Sequence, residues 1–471
     1  MLKTIIEKEL RDIIGSTKFA IGFGVCAVLI LLSFYSGASS YLQSRAQYEA
    51  AVAENVRQME GITGWLQLQQ HHIFLKPQPM ASLVTGVSND IGRTIAVQGR
   101  GELTAEGSRF AEEPVLAVFR FLDLEYLFQI VLSLFAILLG YDAISGEKEQ
   151  GTLKLSFANA IPKDTYILGK LIGNFVALVV PLIGAMLLGA LVLPLMGVSM
   201  GGAEWVRLGL VMVTGLLYFA AFLSLAILVS ASTSRSADSF LILLVIWIGA
   251  VLVIPRASVQ LAGRAVDVPS VDSQLVEKAK FASQQFAEDR KAMNSFKPTG
   301  NLSDPMKAME QFNQFMDSLA NDREQRANEL AARLSEDRTN KQGEQKSLAF
   351  ALARLSPSTS LSLSLSALAG TSATLGDNYV HQAMEYQKAY AQFFRDKTGV
   401  NPGGRMMMIR MNDDGEKPKP VDPMELPQFD FTSEPLGKSI QAASFDMGLL
   451  ALFTFLFAGG AYFKFLRYDV R

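Results

Sequence analysis

Six stretches of the chain stay apolar for about 20 residues, the length an α-helix needs to cross a hydrocarbon core of about 30 Å. They run over Phe19–Ser40, Leu122–Tyr141, Ile167–Leu195, Trp205–Ser230, Phe240–Leu261 and Phe445–Phe465. The fifth is the least clean, because Pro255 and Arg256 follow a shorter uninterrupted run. Pro181 inside the third predicts a kink, which is tolerated where neighbouring helices satisfy the freed carbonyl. The pattern differs in the first 18 residues. Leu2, Ile5, Ile6, Leu10, Ile13 and Ile14 recur at helical spacing, while Lys3, Glu7, Lys8, Arg11 and Asp12 fall largely elsewhere. That predicts an amphipathic helix lying in a membrane interface rather than the n-region of a signal peptide. The expected fold class is an all-α membrane protein with six transmembrane helices, an interfacial helix over 1–18, and two long segments outside the membrane, 41–121 and 262–444.

Charge sets the expected orientation. Lys3, Lys8, Arg11 and Lys18 precede the first span; Lys148, Lys154, Lys163 and Lys170 lie in or beside the 142–166 loop; Arg235 lies between spans four and five; Lys464, Arg467 and Arg471 close the chain. The short opposite loop, Gly197–Glu204, has no Lys or Arg. The positive-inside rule then places both termini, the 142–166 loop and the 466–471 tail in the cytoplasm. Long loops translocate largely regardless of charge, so 41–121 and 262–444 face outward.

Composition narrows the classes further. Hydrophobic residues make up 49% and charged residues 19%, which excludes a plain soluble protein and a disordered chain. A net charge of -2 gives no reason to expect nucleic acid as a partner. The single cysteine, Cys26, excludes an intramolecular disulfide and a cysteine-based zinc site. Within the apolar runs ionisable groups keep to the ends: Asp142, Arg207, Arg256, Asp446 and Lys464, with Gln129 and Asn174 the strong amides inside. A proton- or sodium-driven carrier calls for buried carboxylates or broken helices, and a membrane hydrolase for a nucleophile with its base. Neither pattern is visible, and no catalytic residue is assigned. Nor is there a phosphate-binding G-x-x-x-x-G-K-[ST]; Gly169-Lys170 is followed by Leu171 and lacks the upstream glycine. Any uphill work therefore draws on another subunit.

The loop leaving span two reads Tyr141-Asp142-Ala143-Ile144-Ser145-Gly146-Glu147-Lys148-Glu149-Gln150-Gly151-Thr152-Leu153-Lys154-Leu155, then Pro162 and Leu168-Gly169-Lys170. It reads as a short charged helical element with a glycine break, held at both ends by membrane helices. The pattern D-x-I-x-x-E-K-E-x-G-T-L, then proline and L-G-K, resembles the first cytoplasmic loop of type-2 ABC exporter permeases. The amphipathic N-terminal helix resembles their elbow helix, with Ile5, Ile6, Leu10, Ile13 and Ile14 on its membrane face. The closing Arg467-Tyr468-Asp469-Val470-Arg471 is similar to their C-terminus. Long loops after spans one and five, with Lys76-Pro77 and Leu122-Asp123-Leu124, resemble the subgroup of gliding-motility and nitrous-oxide-reductase-maturation permeases. The resemblance covers most of residues 1–260 and the last 30, and is weak over 262–440. It implies that two permease chains pair above a dimer of separate ATPase subunits, which hold ATP and Mg; this chain has no cofactor of its own. It also implies that Glu147, Lys148, Glu149, Gly151, Thr152 and Lys154 contact the ATPase. A solvated charged loop with no partner is the bland alternative.

The outward segments are less specific. Periodic apolar positions predict helices over Ser273–Phe296 (Val276, Ala279, Phe286, Met293) and Asp304–Arg338 (Met306, Met309, Phe312, Phe315, Met316, Leu319, Leu330, Leu334), packed as a hairpin or against a partner chain. Ser356-Pro357 and Gly370 bracket a short helix, with Leu361, Leu365 and Leu368 on one face, expected on the outer membrane surface, although the alternating Ser and Leu also fit a strand. Val380–Lys397 predicts another helix, and 401–437 a loop or hairpin. Between Tyr41 and Phe121 a helix to about Gln70 precedes irregular chain with strands over Ser82–Val87 and Thr94–Val97. Met406, Met407, Met408 and Met411 invite comparison with a Cu(I) site, and His71-His72 with a metal pair. Consecutive strand residues point to opposite faces, and adjacent histidines need a third ligand, so no metal is assigned. Two functions remain: a permease exporting a lipid-linked, peptide or amphipathic cargo, or a mechanical complex in which ATP hydrolysis moves the outer domain against a partner protein. A sensory receptor fits least, because six spans and no cytoplasmic output domain argue against it.

Overall fold

The computed structural model describes residues 1–65, 68, 71–98, 103–112, 123–158, 161–297, 305–398 and 421–468. The methionine cluster at 406–411 and the last three residues of the C-terminal motif lie outside them. The chain divides into two compact units, Met1–Val251 with Ser356–Arg471, and Leu252–Leu355.

Helix α1 (Leu2–Ile14) leads into α2 (Thr17–Arg57), whose first turn is capped by Ser16 Oγ accepting the Phe19 N–H at 3.1 Å. A small antiparallel sheet follows: β1 (His71–Phe74), β2 (Gly92–Val97) and β3 (Ala105–Ser108), with α3 (Pro79–Leu83) between the first two and α4 (Arg109–Glu112) after the third. The second span enters through α5 (Leu124–Tyr126) and a π-helical turn, Leu127–Leu132, and continues as α6 (Ser133–Gly140). The loop beyond it forms α7 (Ser145–Gln150) and α8 (Thr152–Ala158). Then come α9 (Lys163–Leu195) and α10 (Gly202–Ser232). The fifth span follows as α11 (Ser236–Trp247), a π turn (Ile248–Val253) and α12 (Ile254–Ala265). After α13 (Val271–Ser295), α14 (Pro305–Ala353), α15 (Pro357–Ala369) and α16 (Leu375–Thr398), the chain returns through α17 (Leu436–Leu466). Six of these runs are long and apolar enough to cross a membrane: Thr17–Arg57, Leu124–Gln150, Lys163–Leu195, Gly202–Ser232, Ser236–Ala265 and Leu436–Leu466. The protein is a multi-pass, all-α membrane protein. Helix α9 passes through Pro181 and Pro194 without interruption.

Polar side chains support the two π turns. Such a turn frees carbonyls, and in lipid each needs an internal donor. Ser133 Oγ (2.6 Å) and Tyr218 Oη (3.1 Å) both donate to the Gln129 carbonyl. Ser356 Oγ donates to the Ala250 carbonyl and also caps α15 by accepting the Ser358 N–H at 3.1 Å. Trp247 Nε1 donates to Ser133 Oγ at 2.8 Å, tying the second and fifth spans.

Helix α15 corrects an expectation. It does not lie on a surface but packs between α10 and α17, with Leu361, Leu365 and Leu368 and the intervening Ser358, Ser360 and Ser364 all buried. Serines permit this because they are small enough for close helix approach and can bond their own backbone, as Ser364 Oγ does to the Ser360 carbonyl at 2.6 Å. Gly370, at φ 72°, ends the helix in the left-handed conformation. Arg207 on α10 then holds this end, donating to the Leu368 carbonyl (2.7 Å), Ser439 Oγ (2.9 Å) and the Glu434 carbonyl (2.5 Å).

The sheet has the order β1-β2-β3, with His71 opposite Val97 and Thr94 opposite Glu106. Helix α16 packs its Tyr379, Tyr386, Tyr390 and Phe394 against Ile73, Ile95 and Val97. The two long segments thus share one core. The strand expected over Ser82–Val87 is replaced at its start by α3, because Pro79 opens a helical turn. A Cβ built on Gly37 of α2 would come within 2.8 Å of the Leu83 side chain, so this turn packs down on α2.

In the second unit α13 and α14 run antiparallel. Asp289 pairs with Arg323 at 3.2 Å, Gln274 Nε2 donates to the Leu334 carbonyl at 2.8 Å, and the Phe296 ring meets Phe312 and Phe315. The expected apolar stripe is only partly covered. Val276, Phe286 and Met309 are exposed in this chain, because the two helices meet at the edge used by Gln274, Asp289 and Phe296 instead.

Candidate coupling site

The site is built where α1, α7, α8, the start of α9 and the end of α17 meet. Its floor is a pair of glycines. Gly169 and Gly173 lie one turn apart on α9, and α1 settles onto them. A Cβ on Gly169 would come 2.5 Å from Ile5, and one on Gly173 would come 2.7 Å from Glu9. Small residues four apart are what two helices need to approach closely in a membrane. Ile5 is buried against α9, Ile6, Leu10 and Ile13 are half-buried, and Ile14 is exposed. The buried member missing from the sequence expectation is Glu9.

Glu9 meets Lys170. The Lys170 ammonium lies 2.9 Å from Glu9 and 2.8 Å from Glu147, with side chains only 5%, 6% and 14% exposed respectively. Asn174 Nδ2 approaches the other Glu9 oxygen at 3.4 Å. Tyr166 Oη donates to Glu147, and Lys8 reaches the same carboxylate at 3.4 Å. Burial pushes the Glu9 carboxyl above the usual carboxylate range, while Lys170 beside it pulls the other way. Lys170 therefore neutralises an internal pair rather than facing a loop surface, and ionisable groups are buried at this end of the bundle.

The next two residues of α7 reach other helices. Lys148 Nζ donates to the Ala231 and Thr233 carbonyls at 2.5 and 2.9 Å, where α10 ends, and stands over the Tyr468 ring at 4.4 Å. A cation on terminal carbonyls is favourable at a helix C-terminus. Glu149 accepts the Ser236 N–H at 3.1 Å, where α11 begins and the helix dipole favours an anion. Ser230 Oγ accepts the Ile144 and Ser145 N–H groups at 3.0 and 2.9 Å, fixing the start of α7 to α10. Three consecutive side chains thus bind α1 with α9, the end of α10, and the start of α11.

Gly151, at φ 74°, breaks the helix, and Thr152 Oγ1 reaches back to the Glu147 carbonyl at 3.3 Å. Beyond the break Leu153 is buried, while Lys154 and Leu155 face outward, Leu155 at 69% exposure. Phe157 on α8 joins Tyr166 and Phe465 in an aromatic cluster, and Lys163 Nζ donates to the Tyr468 carbonyl at 2.7 Å. The outward surface of the loop consists of Glu149, Gln150, Gly151, Thr152, Lys154 and Leu155.

Of the residues singled out from sequence, Glu147 and Lys148 turn inward and hold the loop. Glu149, Gly151, Thr152 and Lys154 lie on its open side. Glu9, Tyr166 and Ser230 are not among those residues, and Lys170 and Tyr468 enter the sequence reading only as parts of the family pattern and charge distribution. A signal existed for Glu9, which sits four residues from both Ile5 and Ile13, in the apolar stripe of an otherwise amphipathic helix. Lys170 lies inside the third apolar run, where a lone cation calls for a partner. His71 and His72 occupy adjacent positions of β1, with His71 buried and facing Asn55 Nδ2 at 3.3 Å.

A family model described as ABC-2 family transporter protein matches residues 3–375. No curated protein matches the chain.

Proposed function

This chain belongs to the ABC-2 transporter family, the membrane permeases of ABC transporters, which work with ATPase partners, and we propose that its power stroke enters through α7 and α8. In this reading an ATPase dimer docks on the open side of the loop, with Glu149, Gly151, Thr152, Lys154 and Leu155 as contacts, and hydrolyses ATP with Mg on its own residues. A second permease chain completes the complex. Both termini and the loop lie in the cytoplasm, and the segments 41–121 and 262–444 lie outside a bacterial inner membrane. Among ABC-2 permeases we place it with the long-looped subgroup similar to those of gliding motility and nitrous-oxide-reductase maturation. The cargo is an amphipathic or lipid-linked molecule exported outward.

The observation that carries this reading is the division of labour within the loop. Glu147 and Lys148 clamp α1, α9 and the end of α10, and the exposed Glu149 holds the start of α11, so a force on the open side of the loop moves the bundle. A second reading rests on the compact unit formed by residues 252–355, which continues the chain of the fifth span. There, the same stroke moves an outer domain against a partner protein and nothing is transported.

Charge reversal of Lys154 with Leu155→Asp tests the docking surface. We expect at least a tenfold loss of co-purifying ATPase with normal membrane insertion and a monodisperse chain. Undiminished association would remove this surface as the ATPase dock. Vesicles containing the full complex separate the two functions: ATP-driven movement of an amphipath supports export, and ATP turnover with altered cross-linking in 252–355 but no movement supports the mechanical reading.

A further inference from the structure

A cavity of about 240 Å³ lies between α2 and the sheet lobe, at the end of the bundle away from the coupling loop. Its wall on α2 starts at Ser36 and Gly37 and continues through Ser40 and Ser44. Ser40 is also where the first apolar run ends, so the floor stands at the level where hydrocarbon gives way to head groups. Below it α2 leaves Val25, Val28, Leu31, Leu32 and Tyr35 exposed, an apolar track toward the bilayer centre.

The chemistry of the wall is one-sided. Lys76, Arg93 and Arg109 line it together with hydroxyl and amide side chains, and no carboxylate is among the described lining residues. Arg109 Nη1 donates to Ser40 Oγ at 2.8 Å, which places its guanidinium beside the floor. Arg93 reaches Asn89 Oδ1 at 3.4 Å, and Asn89 is itself buried. Lys76 pairs with Asp430 at 3.0 Å. Guanidinium groups beside a low-dielectric boundary favour an anion with several acceptor oxygens, and phosphate esters match their fork geometry. The volume suits a head group but not acyl chains, which would have to remain along α2.

We propose that this cavity binds the phosphate head group of an anionic lipid-class amphipath standing in the leaflet beside the outer end of α2. Arg93 and Arg109 hold the phosphate oxygens, and the serines of α2 let the ester approach the helix backbone. Taking this amphipath as the cargo rests on the export reading above; the binding does not.

The test uses the full chain in neutral detergent, without its ATPase, with three probes: dihexanoyl phosphatidic acid, dihexanoyl phosphatidylcholine and inorganic phosphate. Phosphatidic acid should bind at least tenfold more tightly than either of the others. Arg93→Gln and Arg109→Gln should each weaken it at least tenfold, and Ala81→Trp, which fills the cavity from α3, should abolish it. Melting curves and gel filtration report whether each variant is folded. Equal binding of inorganic phosphate would overturn the lipid assignment. No preference for phosphatidic acid over phosphatidylcholine, or unchanged binding in both the arginine and the filling variants, would overturn the site. With the ATPase added, absence of stimulation by phosphatidic acid despite intact binding would remove it as cargo and leave the site standing.

Discussion

Lys170→Met is the sharpest perturbation of the coupling site. The substitution keeps the length of the side chain and removes its charge. Two carboxylates that each lie within 3 Å of the Lys170 nitrogen are then less than about 6 Å apart with no cation between them, and Glu9 is almost fully buried. Removing one partner of a buried ion pair costs about 3–5 kcal/mol, because the group left behind keeps its desolvation penalty. Lys8, half-exposed and 3.4 Å from Glu147, offsets a little of this at Glu147 and less at Glu9, where its attraction is the weakest of the charges felt. The loss falls on the contact between α1 and α9, so it is read as local opening of α1. At 1.36 kcal/mol per tenfold, about 3 kcal/mol is more than 100-fold faster amide exchange over residues 2–14. The triple variant Glu9→Leu, Glu147→Leu, Lys170→Met replaces the three least exposed charges with apolar groups and leaves the half-exposed Lys8 to solvent. It should recover most of the protection, since a buried charge cluster is often no better than packed hydrocarbon. Exchange in Lys170→Met within threefold of wild type would refute the reasoning, as would a triple variant no better protected than the single one.

Two further outcomes follow from other parts of the molecule. Gly169→Leu drives a side chain into Ile5; it should lift α1 from α9 at a cost of about 1–3 kcal/mol, and Ile5→Ala should restore part of the α1 protection, measured by the same exchange. Burial holds His71 down to about 4 from 6.5, so the unfolded chain binds the extra proton between those values. The lobe is then fully stable above about pH 6.5 and loses about 3 kcal/mol by about pH 4. Melting curves of wild type and His71→Phe should diverge as pH falls below 6.5, and parallel curves would count against it.

What could be read from the chain follows the physics of each part. Membrane helices are set by runs of about 20 apolar residues, so they stand out one by one. The glycine break at Gly151 and the Ser356-Pro357 cap with Gly370 are equally local. Burial within the membrane is not local. The spacing predicts helix α15 on a surface; only the facing α10 and α17 reveal its serines as small packing residues. The same holds for the loop. Glu147-Lys148-Glu149 looks like a solvated charge run until Lys170, Ala231 and Ser236 are placed beside it, and those lie 23, 83 and 87 residues away along the chain. The sheet lobe draws on segments about 280 residues or more apart, as in the Tyr379 hydroxyl bonded to the Ile73 and Arg93 carbonyls, and no short-range pattern announces that.

The order of residues in the loop has a mechanical consequence. Successive side chains on an α-helix point about 100° apart, so three in a row can grip three different neighbours only if the helix sits among them. Helix α7 does. Its contacts are of unlike kinds: a buried ion pair toward α1 and α9, a cation on the carbonyl end of α10, and an anion on the amide end of α11. A displacement of α7 cannot be absorbed by slackening one of them, because rotating away from the Lys170 pair drags Lys148 off the α10 carbonyls and Glu149 off the Ser236 amide. The left-handed Gly151 ends α7 and lets α8 turn Lys154 and Leu155 outward while Leu153 and Phe157 pack inward. At the far end Arg207 binds α10 to α15 and α17, so the central helix is held at both ends. In the proposed reading, a push on α8 is delivered to a bundle whose central helix is held top and bottom, and it should emerge as relative movement of α1, α9 and α11 around α10.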